Sequence, residues 1–136
     1  MKKTLILKNK LSEVRTLATA IFELGKENNL SREVMHDVNL TLEELLANVI
    51  FHGYKDKKEH EIIIHLTLEK KELILQFEDD GMPFNPLEFP VPDMEKLQKV
   101  IHEGGMGIHF VRNLMDKIEY KRKQGKNILL MKKKIT

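Results

Sequence analysis

The segment from Ser31 to His52 constrains the fold more than any other part of the sequence. Apolar residues recur there at three- and four-residue spacing, which predicts a helix with Ser31 as its N-cap and Gly53 at the left-handed C′ position. The chain contains 23 lysines and arginines, yet none occurs from Glu33 to Tyr54. A helix with so little charge is expected to be covered on most sides. Its broad apolar face consists of Val34, Val38, Leu42, Leu45, Leu46, Val49 and Ile50.

A narrow polar stripe runs beside this apolar face. At about 100° per residue, five polar side chains fall in one line along the helix, namely Asp37, Thr41, Glu44, Asn48 and His52. Glu44 and Asn48 are four residues apart and are therefore neighbours on the helix surface. A carboxylate beside an amide oxygen can supply a general base and a Mg²⁺ ligand in one pocket. Glu43 lies well off the stripe, so Glu44 is the candidate base. The alternative is that the stripe is the solvent-exposed edge of the helix.

A second candidate site lies where an apolar segment ends, at Asp79-Asp80-Gly81-Met82-Pro83-Phe84. An Asp-Gly step most often marks only a turn. Here Asp79 continues an apolar strand, and all four prolines of the chain follow within ten residues, which predicts a loop. A loop of about twenty residues is usually a functional lid or a disordered segment. We expect a lid over residues 80–104.

Three of the seven glycines lie within four positions, in Gly104-Gly105-Met106-Gly107, at the start of a helix predicted from about Met106 to Lys117. Free backbone N–H groups and the positive end of the helix dipole make such a helix start an anion site, and glycine lets phosphate oxygens approach the backbone. A flexible hinge is the alternative. The motif is not a P-loop, because it lacks the Gly-Lys-Ser/Thr ending, and it is not a dinucleotide fingerprint.

The remaining segments predict one further helix and five strands. Leu11 to Asn28 has the spacing of an amphipathic helix, ended by Asn28-Asn29. Strands are predicted at 4–8, 61–69, 72–78, 118–122 and 128–134, with tight turns at Lys70-Lys71 and at Gln124-Gly125-Lys126. Helices and paired strands segregate along the chain. We therefore expect an α+β fold, a two-layer sandwich with helices on one face of a mostly antiparallel sheet, in a single domain of residues 1–136.

In this order, the motifs resemble the GHKL (histidine-kinase-like) ATPase superfamily, which has a Bergerat-type ATP-binding fold and includes gyrase, heat-shock-90, mismatch-repair and histidine-kinase ATP domains. The order is a helical Glu-x-x-x-Asn, a strand-end Asp-x-Gly, a long loop, and Gly-Gly-Met-Gly leading into a helix. The resemblance covers nearly the whole chain, from about Leu11 to Ile135. The segments 44–54 and 79–86 are most similar to the bacterial anti-sigma factor serine/threonine kinases, compact stand-alone domains of about this size.

The resemblance implies ATP and Mg²⁺ as cofactors and a role for each matching residue. Asn48 would hold Mg²⁺ against the ATP phosphates, and Glu44 would accept a proton from the attacking hydroxyl group. Asp79 would accept a hydrogen bond from the adenine amino group, with Gly81 keeping the base pocket open. The other nucleotide-binding positions that it implies are Phe84, Gly104, Gly105, Met106 and Gly107.

The resemblance also implies partners, namely a sigma factor and a small anti-sigma antagonist protein that is phosphorylated on serine, with a possible homodimer. Two features depart from the family pattern. Pro83 replaces the second glycine expected after Asp79-x-Gly81, and the loop offers Lys96, Lys99 and His102 but no arginine for the γ-phosphate. Three alternatives stay open: an ATP-binding module without phosphoryl transfer, a detached histidine-kinase-type catalytic domain, and an interaction domain that binds no nucleotide.

The composition argues against several other classes of protein. Without cysteine the chain has no disulfide, thiolate metal site or thiol nucleophile. No segment approaches the ~20 apolar residues of a membrane span, so we expect a cytoplasmic protein without a membrane partner. The net charge is +2, and the lysines near the end are attributed to solvated strand faces and a guarded sheet edge, so no nucleic-acid partner is expected. The six histidines lack ligand spacing suited to zinc, so we expect no transition metal.

Overall fold

The computed structural model describes residues 1–88 and 111–135. The five strands in those ranges form one sheet in the order β1-β2-β3-β5-β4, and every neighbouring pair is antiparallel. The predicted α+β class with an antiparallel sheet is confirmed. The elements are β1 (Lys2–Lys8), α1 (Glu13–Glu27), α2 (Arg32–His52), β2 (Glu61–Glu69), β3 (Glu72–Asp79), β4 (Lys117–Lys123) and β5 (Lys126–Lys134), with a 3₁₀ turn at Pro86–Glu88 and helical residues 111–114.

Alternation along the strands places the core on one face of the sheet. Successive side chains of a strand point to opposite faces, so one apolar set per strand can be covered by helices. The buried strand residues are Leu7, Ile62, Ile64, Leu66, Leu73, Leu75, Phe77, Leu129 and Met131. The helices contribute Leu17, Ile21, Leu24, Val34, Val38, Leu42, Leu45, Leu46 and Val49 to the same cluster. Among the helices of the described ranges, none combines the length and apolarity needed to cross a membrane.

Local hydrogen bonds define the two ends of α2, and the predicted backbone conformation of Gly53 is wrong. The Ser31 hydroxyl accepts a hydrogen bond from the Val34 N–H at 3.1 Å, which confirms the predicted N-cap of α2. Gly53 was expected in the left-handed region, but its φ of −77° and ψ of −23° are right-handed. The position is crowded instead, because a Cβ there would lie 2.7 Å from the carbonyl oxygen of Val49.

The predicted helix from Met106 to Lys117 ends earlier than expected. Within the described residues it reaches only residue 114, and β4 begins at Lys117. The cause is pairing with the sheet, since the Asp116 N–H donates to the Lys132 carbonyl oxygen at 2.9 Å. β4 then forms one edge of the sheet and carries several exposed lysines, in line with the expected guarded edge.

Candidate functional site

The end of β3 places Asp79 among buried hydrogen bonds. The side chain is 6% exposed, and its Oδ1 accepts hydrogen bonds from the Gly81 N–H at 2.9 Å and from Asn127 Nδ2 at 3.0 Å. Burial raises the pKa of Asp79, and these two hydrogen bonds act in the opposite direction. Both bonds converge on Oδ1. Among contacts between described residues, Oδ2 is therefore the oxygen available to accept a hydrogen bond from a ligand.

Asn127 on β5 is the site residue that the sequence interpretation missed. It is the register partner of Asp79, and its side chain is 6% exposed. Nδ2 also donates to the Met82 carbonyl oxygen at 2.8 Å, while Oδ1 accepts from the Phe84 N–H at 3.2 Å and from the Tyr120 hydroxyl at 2.6 Å. Asn127 thus holds both Asp79 and the loop that follows it. The available signal was an asparagine at the start of an apolar strand, where this residue type is disfavoured.

Gly81 lies directly against the end of α2. A Cβ at Gly81 would lie 2.6 Å from the carbonyl oxygen of Gly53 and 2.9 Å from Oδ1 of Asp79. The same Gly53 carbonyl oxygen accepts a hydrogen bond from the Met82 N–H at 2.8 Å. The loop after β3 is therefore fastened to the helix that carries the polar stripe, with no space between them for a side chain.

The first part of the polar stripe faces β5 and the helical residues 111–114. Asp37 Oδ2 lies 3.1 Å from Lys133 Nζ, which also donates to the Leu114 carbonyl oxygen at 2.7 Å. The Asp37 and Lys133 side chains are only 13% and 16% exposed, and Thr41 is fully buried. This part of the stripe is therefore not a solvent-exposed edge. It faces the segment that follows Gly104–Gly107 in the sequence.

Glu44 and Asn48 lie between these two fastened ends of α2, and both are half-buried. Burial, followed by the neighbouring charge of Glu43, raises the pKa of Glu44. That direction moves the carboxylate toward the range in which a general base works near neutral pH. Glu43 accepts a hydrogen bond from Asn39 Nδ2 at 3.5 Å, so within the described residues the two adjacent carboxylates have different surroundings.

Four predicted site residues lie outside the described residues, namely Gly104, Gly105, Met106 and Gly107. The predicted lid over 80–104 is described only as far as residue 88. Phe84 is half-buried and packs against the core beside Asn127. Asn48, with its amide oxygen, suits a Mg²⁺ ion that takes most of its ligands from phosphate and water. No three His, Cys, Asp or Glu side chains converge on a metal-sized position within 1–88 and 111–135.

Known proteins resemble this chain over most of its length. Residues 7–133 match the family model of the histidine kinase-like ATPase domain. An anti-sigma F factor of Clostridium acetobutylicum is 26% identical over 115 residues, which cover 84% of this chain and 80% of that protein. The serine/threonine-protein kinase BtrW of Bordetella bronchiseptica is 27% identical over 127 residues, which cover 89% of this chain and 88% of that protein.

Solved structures share the fold at low identity. The RsbU and RsbW domains of Rv1364c from Mycobacterium tuberculosis align with a TM-score of 0.72 at 14% identity, covering 99% of this chain and 32% of that one. A histidine kinase domain of the Erythrobacter litoralis EL346 blue-light activated histidine kinase aligns with a TM-score of 0.56 at 16% identity, covering 91% of this chain and 60% of that one. This chain thus spans about a third and three fifths of those two chains. With its fold, its strand-end aspartate and the family match over residues 7–133, the chain belongs to the histidine kinase-like (GHKL) ATPase domain family.

Proposed function

We propose that this chain is an ATP-dependent serine/threonine protein kinase that binds a sigma factor and phosphorylates a small anti-sigma antagonist protein. Family membership supports ATP binding. The relatives named anti-sigma F factor and serine/threonine-protein kinase support the finer assignment. The observation that carries the proposal is the buried carboxylate of Asp79, held on Oδ1 by Gly81 and Asn127 and fastened through its loop to α2.

In the proposed reaction the side chains position the nucleotide and supply one base. Asp79 Oδ2 accepts the hydrogen bond of the adenine amino group, and Gly81 leaves room for the base. Glu44 accepts the proton of a seryl hydroxyl group as its oxygen attacks the γ-phosphorus. The bond from that phosphorus to the β–γ bridging oxygen breaks, and ADP leaves. Asn48 would hold Mg²⁺, and the bound ion would neutralise charge on the phosphates.

Replacing the proposed base tests the transfer step. Glu44→Gln is expected to retain ATP affinity and to lower phosphoryl transfer by roughly 10²–10⁴, the usual contribution of a positioned base. Glu43→Gln is the matched control, because Glu43 is the adjacent carboxylate and already accepts a hydrogen bond from Asn39. It should retain most of the wild-type transfer rate, because burial, the larger cause of the raised Glu44 pKa, is unchanged. Transfer from radiolabelled ATP to a candidate antagonist measures both variants, and a wild-type rate for Glu44→Gln would exclude Glu44 as the base.

One observation favours a second candidate, an ATP-binding regulatory module without transfer. Residues 80–104 contain no arginine, the residue best suited to bidentate contact with a transferring phosphate. The form of the label separates the candidates. Acid-stable label on the partner indicates serine or threonine, acid-labile label indicates histidine, and ATP binding without label indicates a regulatory module. Sedimentation of the purified chain tests the predicted homodimer independently.

A further inference from the structure

Beside the Asp79 pocket lies a cluster of side chains that the proposed kinase chemistry does not use. Asp80 Oδ1 accepts a hydrogen bond from the Tyr54 hydroxyl at 2.8 Å, and Asp80 Oδ2 lies 3.3 Å from His60 Nδ1. The other ring nitrogen, Nε2, lies 2.7 Å from Asp56 Oδ1. The His60 and Tyr54 rings are stacked, with centroids 3.9 Å apart and an interplanar angle of 9°. His60 is therefore held against a ring and between two carboxylates.

These contacts require a proton on both ring nitrogens of His60. An ionised carboxylate only accepts hydrogen bonds, and a neutral imidazole has a single N–H. Only the imidazolium can donate to Asp56 and Asp80 together, whereas the neutral ring turns a lone pair toward one of them. The hydrogen bond to Asp56, opposed by burial and reinforced by Asp80, raises the pKa of His60. Hydrogen bonds from Tyr54 and His60 outweigh burial and lower the pKa of Asp80.

Other charges around His60 favour the same protonation state. The ring borders a cleft of about 290 Å³, and among the described residues that line it the carboxylates outnumber the cation Lys126. A surplus of nearby negative charge stabilises an imidazolium. On the β1 side, Lys8 and Lys10 lie 3.3 Å and 3.1 Å from the carboxylate of Glu59 and offset its charge, so the surplus of negative charge comes from the other carboxylates of the cleft. Besides His60, the ionisable groups that line the cleft are Glu59, Glu61, Glu78, Asp79, Asp80 and Lys126.

The cluster is joined to the nucleotide pocket at two places. Asp80 directly follows Asp79, and Tyr54 directly follows Gly53, whose carbonyl oxygen accepts the Met82 N–H. Fixing Asp80 through Tyr54 and His60 thus restrains the segment that directly follows the proposed adenine contact, whose Met82 is also bonded to Gly53. We propose that His60 is a positioning residue for the adenine end of the ATP site, and that its imidazolium strengthens ATP binding by clamping Asp80 to Asp56. This inference rests on the proposed role of Asp79.

The direction in which pH changes ATP affinity follows from thermodynamic linkage between proton binding and ATP binding. If the protonated protein binds ATP more tightly, then ATP raises the proton affinity of His60 by the same factor. ATP affinity is expected to fall on the order of fivefold as pH rises through the pKa of His60, the lower end of typical coupling between two sites. The clamp also stabilises the fold below the unfolded-state pKa of histidine, and this contribution is lost as pH rises through the raised folded-state pKa.

Calorimetric titration with ATP from about pH 5.5 to about pH 8.5 tests the clamp on the intact chain. The terminal phosphate of ATP itself titrates at about pH 6, but this affects every variant equally. The ratio of ATP affinities between two variants therefore isolates the effect of His60. The wild-type to His60→Gln ratio is expected to change about fivefold across this range. His65→Gln is the matched control, since His65 lies on β2, the strand that begins directly after His60, and contacts Thr4 Oγ1 at 3.0 Å. The ratio of wild-type to His65→Gln affinity for ATP should stay constant across this pH range. The ATP affinity of Tyr54→Phe should change less with pH than that of the wild-type chain.

Proton NMR of the His60 ring gives a second measurement that needs no variant. The pKa of His60 is expected to rise when ATP is added to the wild-type chain. Parallel affinity profiles for wild type and His60→Gln, or a His60 pKa that ATP leaves unchanged, would overturn the clamp while leaving the proposed kinase intact. Failure of the wild-type chain to bind ATP at any pH would overturn the proposed function and this inference with it.

Discussion

Asn127 Nδ2 donates a hydrogen bond to Asp79 Oδ1 at 3.0 Å, between two residues that are register partners in β3 and β5. A buried carboxylate without such partners would be driven toward its neutral form or into another rotamer. The bond instead fixes one oxygen of Asp79 and leaves the other for a ligand. The antiparallel register of two strands thus determines which way the proposed adenine contact points.

Asn127→Ala is expected to weaken ATP binding and to destabilise the fold. The substitution removes the bonds to Asp79 and Met82 and also removes the Asn127 oxygen that accepts from the part-buried Phe84 N–H and Tyr120 hydroxyl. We expect a loss of about 1–3 kcal/mol of unfolding free energy and at least a roughly tenfold rise in the Kd for ATP. Tyr120→Phe, which removes one bond, should cost about 1 kcal/mol and leave ATP affinity nearly unchanged. Wild-type ATP affinity in Asn127→Ala would argue against a positioning role.

Asp79→Asn is expected to weaken ATP binding without lowering the stability of the fold. Burial raises the pKa of Asp79 above the ordinary 3.8, so between these two pKa values the folded state holds more protons than the unfolded state. Unfolding free energy therefore falls as pH rises through that window, and the ionised group destabilises the fold at neutral pH. Asparagine keeps the Oδ1 acceptor without the charge. We expect equal or higher stability in urea at neutral pH, with ATP affinity at least roughly tenfold lower. A destabilised variant with intact ATP binding would contradict both expectations.

Gly81→Ala and Gly125→Ala should differ in their effect on ATP binding. A methyl group at Gly81 would meet the Gly53 carbonyl oxygen at 2.6 Å, so either α2 or the loop must move, at about 1–3 kcal/mol. Gly125 has φ of +77° and open space around it, so alanine there adds backbone strain of about 1 kcal/mol without a clash. Thermal unfolding and ATP titration should show weaker binding only for Gly81→Ala. Equal ATP affinity in the two variants would show that the contact with Gly53 does not shape the pocket.

Lys133→Met is expected to be strongly destabilising because it leaves Asp37 buried without its cation. Breaking a buried ion pair from one side typically costs about 3–5 kcal/mol. The double variant Asp37→Asn with Lys133→Met should lose less than the sum of the single variants, since the pair is removed together. Lys132→Met is the control, because its 4.0 Å pair with Glu72 is partly exposed and should contribute less than about 1 kcal/mol. Additive losses in chemical denaturation would show that Asp37 and Lys133 do not interact.

Local periodicity accounts for most of the fold that could be predicted. The strands, the two first helices and the N-cap at Ser31 all follow from patterns within a few turns of the chain. The predictions were wrong at the ends of two helices, where residues contact a part of the chain that is distant in sequence. The predicted helix to Lys117 stops at residue 114 because Asp116 pairs with Lys132, and Gly53 is right-handed where its carbonyl oxygen accepts the Met82 N–H.

The pattern of residue types was enough to predict the apolar face of α2, and it singled out Glu44, Asn48, Asp79 and Gly81, because helix and strand periods are local properties of the chain. The role of Asn127 in holding Asp79, the buried pair of Asp37 with Lys133, and the placement of His60 between two carboxylates were decided by the three-dimensional arrangement. These contacts join segments through strand register and the packing of α2 against the sheet. Strand register and the packing of α2 depend on how the whole core packs together, so no short-range sequence pattern predicts them.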